Sequence, residues 1–509
     1  MMKKEKFLQI LLLFTACGLL LFAAVFSKNN KDTKEDSETQ TFLAEEEILF
    51  EKTVGETDVA IKTIMEHGTK AFFGGKPVDE AFLLWLEEKQ NGAVEQLSKK
   101  ESFAYNDWYE ITGKTLQVLW TEYVLEYGRE SYLWEDVSFM PEKNETLTID
   151  VIGDINLDSD WYTMKTLKEE HGKLDRCISK NLQRELINSD ICVVNHEFTY
   201  GPLGSALHGK AYTFQANQKS VAYLKKLGVD IAGLANNHTW DYGEKSLIHT
   251  KKVLEKNGIK TMGAGNLKEA RAIHSVIANG KKISFVAATE VEKYSNYTKD
   301  ASKDLSGVYK MTDPEAFLET IAYAKKNSDY VIAYVHWGVE GESRHSAYQT
   351  ELATRMVDAG ADAIVGSHTH RLQGVEFIRG VPVVYGLGNF WFSTGTLFTS
   401  VAQIQIQKDG SLTLRMLPVL QKNVKTTLLT KEDQISRFYR YLTDMSEQVA
   451  ITSEGECTDL KGNAEHRKNV LKKWKNENKV FYLSEQEYTR HSSGHDLDGR
   501  KIDVVGNLE

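Results

Sequence analysis

Short runs of β-branched and apolar residues alternate with helical patterns between residues 147 and 420, and this alternation limits the possible fold more than any other feature. Strands that alternate with helices form βαβ units around a largely parallel sheet. The strand-like runs are 147–152, 191–194, 229–234, 330–335 and 363–365. The helical patterns are 179–188, 219–227, 243–257, 313–327 and 346–359. The sequence therefore predicts an α/β domain over residues 147–420, and 400–407 with 411–418 is predicted to form a hairpin within it.

Polar side chains stand where each strand-like run ends. In an α/β sheet the ligand crevice lies beyond the carboxyl ends of the strands, so these side chains should converge. They are carboxylates, amides and imidazoles, which are ligands of divalent metals. The clusters are Asp154 with Asn156; Asn195, His196 and Glu197; Asn236, Asn237, His238 and Asp241; His336 and Glu340; and His368 and His370. Together they supply the ligand set of a two-metal site.

The individual motifs differ in strength. His368 and His370 are two imidazoles just past a buried strand, which packing alone does not explain, so they indicate metal binding. Asp154 alone is a weak signal, because an acidic residue at a strand end is often a cap for the next helix. For His238 the alternative is a turn followed by a helix cap, whereas in the metal-site interpretation Asp241 orients its ring.

Residues 147–420 resemble the capsule-synthesis protein A family, the CapA-type proteins of poly-γ-glutamate biosynthesis. The resemblance covers about half of the chain. It rests on Gly153-Asp154, Asn195-x-Glu197, Tyr212-x-Phe214, Ala235-Asn236-Asn237-His238 with Asp241-x-Gly243, His336-Trp337-Gly338-x-Glu340, Gly360-Ala361-Asp362, Gly366-x-His368-x-His370, Gln373, Glu376 and Tyr385-x-Leu387-Gly388-Asn389-Phe390. The family fold is similar to that of calcineurin-like metallophosphoesterases. The resemblance therefore implies an α/β fold of the layered αββα sandwich type.

The metallophosphoesterase plan also implies roles for the polar clusters. It gives Asp154 and His370 to one metal, and Asn237, His336 and His368 to the other. Glu197 would bridge them. Asn156 stands where a phosphoesterase has a histidine ligand, which weakens the first site. His196 replaces a leucine common in the family and would be an extra ligand or, as we favour, a surface side chain.

Two divalent ions, of manganese, iron or zinc, could hold a bridging hydroxide and stabilise charge during phosphoryl transfer. His238 would then act as proton donor or oxyanion stabiliser, supported by Asp241. Arg344 could bind an anionic substrate group, because its fork matches carboxylate or phosphate. An ion pair on the surface is the alternative for Arg344.

The amino terminus predicts a membrane anchor within residues 1–27. Lysines precede an apolar run over 7–26, whose length suffices to span a bilayer as a helix. Positive charge before the run favours a body outside the cytoplasm. A cleaved signal peptide is the main alternative, and a lipoprotein cysteine at Cys17 is a lesser one.

The remaining segments are less informative. Residues 28–44 are predicted to form a polar stalk, 45–140 a helical unit of unknown role, and 421–509 a polar helical tail. The net charge of -10 argues against a nucleic-acid partner. Cys177, Cys192 and Cys457 are too few and too irregular for a disulfide framework.

Three functions fit these observations. The first is a single-pass, membrane-anchored protein of poly-γ-glutamate synthesis or export, which would work with other capsule-synthesis membrane subunits. The second is a cell-surface hydrolase that uses metal to cleave a phosphoester. The third is a component that binds the anionic polymer without catalysis.

Overall fold

The computed structural model describes residues 76–90, 92–99, 105–114, 116, 119, 122–123, 135–139, 146–292, 297–302, 304–462, 464–477 and 479–484. The chain divides into two compact units, Met1–Phe103 and Ala104–Glu509. The anchor and the stalk predicted for residues 1–44 lie outside the described residues. Within the described ranges, no helix combines the length and the apolar character that crossing a bilayer requires.

The described part of the first unit is helical. Helix α1 spans Lys76–Lys89 and α2 spans Ala93–Ser98. The Glu87 carboxylate accepts hydrogen bonds from the Gly92 and Val94 amides at 2.6 and 3.0 Å. This carboxylate therefore satisfies amides at the start of α2, which have no partner within the helix itself.

The second unit is built on two large sheets. Its strands are β1 (Glu135–Phe139), β2 (Leu147–Ile155), β3 (Ile191–His196), β4 (Thr199–Gly201), β5 (Gln215–Asn217), β6 (Ile231–Gly233), β7 (Lys260–Met262), β8 (Ala264–Gly265), β9 (Ile273–Ala278), β10 (Lys281–Thr289), β11 (Gly307–Val308), β12 (Tyr330–His336), β13 (Ala363–Ser367), β14 (Val375–Ile378), β15 (Val381–Val384), β16 (Asn389–Trp391), β17 (Leu397–Ile406), β18 (Leu412–Lys422), β19 (Lys425–Leu428), β20 (Val449–Thr452), β21 (Glu456–Asp459) and β22 (Phe481–Leu483).

Helices connect many of these strands. They are α3 (Tyr105–Thr112), α4 (Tyr162–Glu169), α5 (Lys180–Asn188), α6 (Val221–Lys226), α7 (Gly243–Lys256), α8 (Leu267–Ala270), α9 (Pro314–Asn327), α10 (Ala347–Asp358), α11 (Glu432–Met445) and α12 (Ala464–Asn476).

The two sheets stack face to face. The first has the order β1-β9-β10-β12-β13-β15-β14, and the second β22-β20-β21-β18-β17-β2-β3-β6-β7. Apolar side chains from both, such as Val151 and Val193 of the second sheet and Phe285 and Ile332 of the first, form one buried cluster between them. A second cluster packs helices α4 to α7 on the outer face of the second sheet, and a third packs α9 and α10 on the outer face of the first. The arrangement is therefore the α/β/β/α sandwich that the resemblance implied.

The structure differs from the predicted boundaries at both ends of the domain. Residues 135–139, which we included in the helical unit, form β1 and pair in parallel with β9. The segment expected to be a polar tail contributes β19 to β22 to the second sheet, along with α11 and α12. Both segments are rich in polar residues, and their strands pair with partners far along the chain, so the local pattern did not reveal them. The predicted hairpin is present as β17 and β18.

Cys177, Cys192 and Cys457 are buried free thiols. Cys192 lies within β3, and burial raises its pKa well above the usual range. A thiol in this state is unreactive, so Cys192 acts as a small core residue.

Candidate metal centre

The polar clusters converge where strands of both sheets end. Asp154 lies near the end of β2, and Glu197 directly follows β3, in the second sheet. His336 is the last residue of β12, and His370 follows β13, in the first sheet. Since β2 and β3 are parallel, as are β12 and β13, their carboxyl ends face the same edge of the sandwich. The candidate ligands therefore come in two sets, one from each sheet.

Asn195 links the two buried carboxylates. Its Nδ2 donates to Asp154 Oδ1 and to Glu197 Oε2, both at 2.8 Å. Its Oδ1 accepts from Asn236 Nδ2 at 3.1 Å. One oxygen of each carboxylate is thus satisfied by an amide. Of the other oxygens, Asp154 Oδ2 lies within hydrogen-bond distance of His370, and Glu197 Oε1 has no hydrogen-bond partner among the described residues.

His370 faces these two oxygens. Its Nδ1 lies 3.0 Å from Asp154 Oδ2, and its Nε2 lies 3.8 Å from Glu197 Oε1. Among the described residues, Asp154, Glu197 and His370 form a group whose ligand atoms all lie within 4.8 Å of one another. Two carboxylates and an imidazole at this spacing are able to hold one divalent cation.

A second set of donors surrounds His336. Its Nε2 lies 2.9 Å from Asn237 Oδ1, and its Nδ1 lies 2.9 Å from Ser367 Oγ. The His368 ring is next to it, with the two ring centroids 4.7 Å apart. A proton on Nδ1 shared with Ser367 would leave the Nε2 lone pair for a cation.

The backbone at the two histidines is unusual. The φ angle is 92° at His368 and 54° at His370, both in the left-handed region that favours glycine. Such conformations cost roughly 1–3 kcal/mol each and concentrate at functional sites. With this backbone conformation, the His370 ring faces the carboxylates and the His368 ring lies next to His336.

Burial dominates the electrostatics. It raises the pKa of Glu197 well above its usual range, and the neighbouring Asp154 carboxylate adds to the effect. Burial lowers the pKa of His368 to about 3 and that of His336 well below its usual range. For His370, burial alone would lower the pKa, but the contact with Asp154 raises it overall. A neutral imidazole is the form that binds metal, so His336 and His368 are ready to act as ligands.

These distances fit divalent metal ions. Two ligand atoms, each about 2.1 Å from one ion and at right angles, lie about 3 Å apart. Asp154 Oδ2 and His370 Nδ1 have this spacing at 3.0 Å, and Asn237 Oδ1 and His336 Nε2 have it at 2.9 Å. Glu197 Oε1 and His368 Nδ1 are buried without a hydrogen-bond partner in the described part of the chain. A cation would satisfy both atoms.

His238 and Asp241 form a hydrogen-bonded pair beside this centre. His238 Nδ1 lies 2.7 Å from Asp241 Oδ2, and His238 Nε2 lies 3.9 Å from Glu197 Oε1. Asp241 also accepts from the Phe214 amide and from Lys210. Asp241 therefore orients the His238 ring so that Nε2 faces the carboxylates.

Two other predicted site residues have partners outside the two donor sets. The amide oxygen of Asn156 accepts the Asp158 N–H at 2.8 Å, so this oxygen is engaged in a local turn. Arg344 is close enough for its charge to act on Tyr441 and Asp444 of α11, and its carbonyl oxygen accepts Gln373 Nε2 at 3.1 Å. These neighbours place Arg344 beside α11.

The prediction that His196 lies on the surface is wrong. The residue is 0% exposed, and its ring stacks against Phe198 with centroids 3.8 Å apart. Burial lowers the pKa of His196 to about 3. Because alternate side chains of a strand point to opposite faces, His196 points away from Asn195 and into the outer apolar cluster.

Several supporting residues were not predicted. Ser367 and Lys210 contact proposed ligands, and Asn195, although listed among the polar clusters, was given no role of its own. The signal for Asn195 was its place close to Glu197 at a strand end. Ser367 has a similar signal, since it ends β13 directly before His368. Lys210 has none, because its contacts join distant parts of the sequence.

A second group of residues has metal-ligand character, but one of its two carboxylates is already paired with a lysine. His345, Glu376 and Glu447 bring their ligand atoms within 4.8 Å of one another. Glu376, however, pairs with Lys461 through one oxygen and accepts the Tyr385 hydroxyl at 2.5 Å through the other. The Lys461 ammonium thus provides the positive charge that a metal would bring.

Comparison with known proteins agrees with the motifs. The family described as bacterial capsule synthesis protein matches residues 148–394, a range that includes every candidate ligand. The capsule biosynthesis protein CapA of Bacillus anthracis is 29% identical over 348 residues, which cover 65% of this chain and 81% of that protein. The PGA biosynthesis protein CapA of Bacillus subtilis is 35% identical over 256 residues, which cover 49% of this chain and 66% of that protein.

Among solved structures, the 5′-nucleotidase of Candida albicans is a distant neighbour. It has a TM-score of 0.29 and 10% sequence identity, with 56% of this chain and 52% of that chain covered.

Proposed function

Because residues 148–394 belong to the bacterial capsule synthesis protein family, we propose that this protein serves the synthesis or export of poly-γ-glutamate. Two relatives are named for capsule or PGA biosynthesis, and the family match extends over the whole candidate metal centre. The observation that carries the proposal is this overlap. The segment shared with the family contains the converging carboxylates and imidazoles of the candidate metal centre.

The centre would hold two divalent ions. Asp154 and His370 would bind one, and Asn237, His336 and His368 the other, with Glu197 between them. The paired distances of about 3 Å and the unpartnered Glu197 Oε1 support this assignment. Bound ions would supply a hydroxide at neutral pH and stabilise negative charge. His238, held by Asp241, would deliver or receive a proton at Nε2.

We place the body of the protein outside the cytoplasm. The lysines before the apolar run at 7–26 support an anchor with this orientation. An anionic polymer and other membrane subunits of capsule synthesis would then be its partners. Reporters fused to the amino terminus and to an internal site test this topology, and the two should lie on opposite sides of the membrane. Release of a shortened soluble chain would instead indicate a cleaved signal.

Genetic complementation tests the role in polymer production. Deletion of the gene should abolish the polymer, and the wild-type gene should restore it. His370→Ala removes a ligand of the first ion and should fail to restore it, while Glu351→Gln, which changes an exposed carboxylate on α10, should succeed. The yield of γ-linked glutamate after acid hydrolysis of the surface fraction is the measurement. An unchanged yield in the deletion strain would rule out the proposed role.

A phosphoester hydrolase is the second candidate function, and the His238–Asp241 pair favours it. An imidazole held by a carboxylate and aimed at a metal site is a proton donor for a leaving group. Detergent-solubilised full-length protein should then hydrolyse phosphodiesters when manganese is added, and His370→Ala should not. If neither protein hydrolyses any of a broad set of phosphoesters, this candidate fails.

A role in polymer binding without catalysis is the remaining candidate. The engagement of Asn156 in a turn favours it, since the first ion would lack one ligand. In that case His238→Asn should restore polymer production in the deletion strain, because only proton transfer needs this imidazole. Failure of His238→Asn with normal protein levels would support a catalytic role instead.

A further inference from the structure

Lys210 is a buried cation beside the candidate metal centre. Its side chain is only 7% exposed. The ammonium donates to the Asn237 carbonyl oxygen and to Asp241 Oδ1, the latter at 2.8 Å, and lies 3.6 Å from Glu292 Oε1. Burial of an ammonium group costs several kcal/mol unless partners compensate it. These three partners provide that compensation and fix the direction of the side chain.

The contacts of Lys210 hold both ends of the turn that carries His238. Asn237 precedes the histidine, and its carbonyl oxygen also accepts the Thr298 hydroxyl at 3.0 Å. Asp241 follows it and uses Oδ2 for His238 Nδ1, which leaves Oδ1 for Lys210. The main chain at Asn237 is therefore held by two donors, while its side-chain Oδ1 faces His336 Nε2 at 2.9 Å.

We propose that Lys210 is a positioning residue, which fixes Asn237 as a metal ligand and keeps the His238–Asp241 pair in place. This inference rests on the metal centre proposed above. Lys210 would not touch the ion or the substrate. Its effect would pass through the Asn237 carbonyl and the Asp241 carboxylate.

The charge of Lys210 alone would have the opposite effect on metal binding. A lysine near a divalent cation repels it, so loss of the ammonium should tighten binding if charge were its only contribution. Loss of the positioning contacts should weaken binding, because the Asn237 oxygen would no longer be held at the ligand position. The sign of the change in affinity therefore distinguishes the two effects.

The test is a titration of the full-length, detergent-solubilised protein with Mn²⁺. Lys210→Met keeps the length of the side chain and removes both the donor and the charge. We expect its Mn²⁺ affinity to fall about 10–100-fold, as for other groups that orient ligands. Lys210→Arg keeps the donors and the charge, and should stay within about threefold of the wild type. Far-UV circular dichroism in chelator checks that each variant is folded.

Unchanged or tighter Mn²⁺ binding by folded Lys210→Met would overturn the inference about Lys210 and leave the proposed metal centre standing. If the wild type binds no Mn²⁺, the proposed metal centre fails, and the role of Lys210 fails with it. Should Lys210→Met not fold, Lys210→Gln decides, because it removes the charge and its side chain is one atom shorter, so it cannot replace both contacts of the ammonium. Mn²⁺ affinity of folded Lys210→Gln at or above the wild-type value would overturn the inference.

Discussion

Replacement of Glu197 by glutamine should make the metal-free protein more stable and remove most of its response to metal. The carboxylate is 0% exposed, and its Oε1 has no hydrogen-bond partner among the described residues. Its Oε2 accepts the amide of Asn195, which also binds the Asp154 carboxylate. Two buried carboxylates therefore share one neutral donor. The glutamine side chain retains an oxygen for this donor and carries no charge.

The expected magnitudes follow from these contacts. Relief of one buried, incompletely paired polar group should raise the free energy of unfolding by about 1–3 kcal/mol without metal. In the wild type, a divalent ion at 100 times its Kd adds about 2.7 kcal/mol. In Glu197→Gln this increment should shrink to about 0.5 kcal/mol, because the ligand between the two ions is neutral. The stability advantage of the variant should therefore shrink by about 2.2 kcal/mol when metal is added.

Denaturant unfolding of the full-length protein in detergent, with EDTA and with excess MnCl₂, measures both values. Glu351→Gln is the matched control, because it makes the same chemical change at an exposed carboxylate. It should alter the free energy of unfolding by less than about 0.5 kcal/mol in either condition. A Glu197→Gln protein that is less stable than the wild type in EDTA, or that keeps the full metal response, would refute the reasoning.

Three further predictions concern the surroundings of the site. Burial raises the pKa of Asp150 to about 7. Between roughly pH 4 and pH 7 the native state therefore binds a proton that the unfolded chain has released. The free energy of unfolding should fall as pH rises through this window. Asp150→Asn should remove this slope and gain about 2–4 kcal/mol at pH 8, and an unchanged slope in urea unfolding at several pH values would contradict it. His196→Leu replaces a buried imidazole that makes no hydrogen bond with another side chain among the residues that the structure describes. It should therefore raise the free energy of unfolding at pH 7 by about 1–3 kcal/mol, and a thermal melt that shows lower stability would count against this. Gly153→Ala would place its Cβ 2.0 Å from the Gly388 carbonyl oxygen. It should destabilise the protein by about 1–3 kcal/mol or more, and weaken Mn²⁺ binding through the adjacent Asp154. Wild-type stability and Mn²⁺ affinity in this variant would contradict so close an approach of the two backbones.

Local sequence patterns predicted the parts of the site that lie at strand ends. Asp154, Glu197, His336 and His370 each follow a run of buried apolar residues, and parallel pairing brings such positions to one edge. The patterns could not predict the contacts of Lys210, which lies on a loop and reaches Asn237 and Asp241 through its side chain. They also missed that Asn156 uses its oxygen within its own turn, because a strand-end amide looks the same whether it binds a metal or the backbone.

Fold prediction had a similar limit. Buried central strands were recognisable, because both of their faces are apolar. The edge strand β1 was not, since it mixes acidic and apolar residues and pairs with β9, more than a hundred residues later. Its acidic side chains form ion pairs with Lys260 and Lys282. Patterns among neighbouring residues do not reveal contacts between residues so far apart in the sequence.

The division of the candidate ligands between the two sheets has a mechanical consequence. Asp154 and Glu197 belong to one layer of the sandwich, and His336, His368 and His370 to the other. An ion shared by Glu197 and His370 would link the two layers at one edge, in addition to the apolar packing between them. Amide hydrogens of β3 and β13 should then exchange together, and more slowly, once metal is bound. The metal centre would then stabilise the packing of the two sheets as well as provide a site for chemistry.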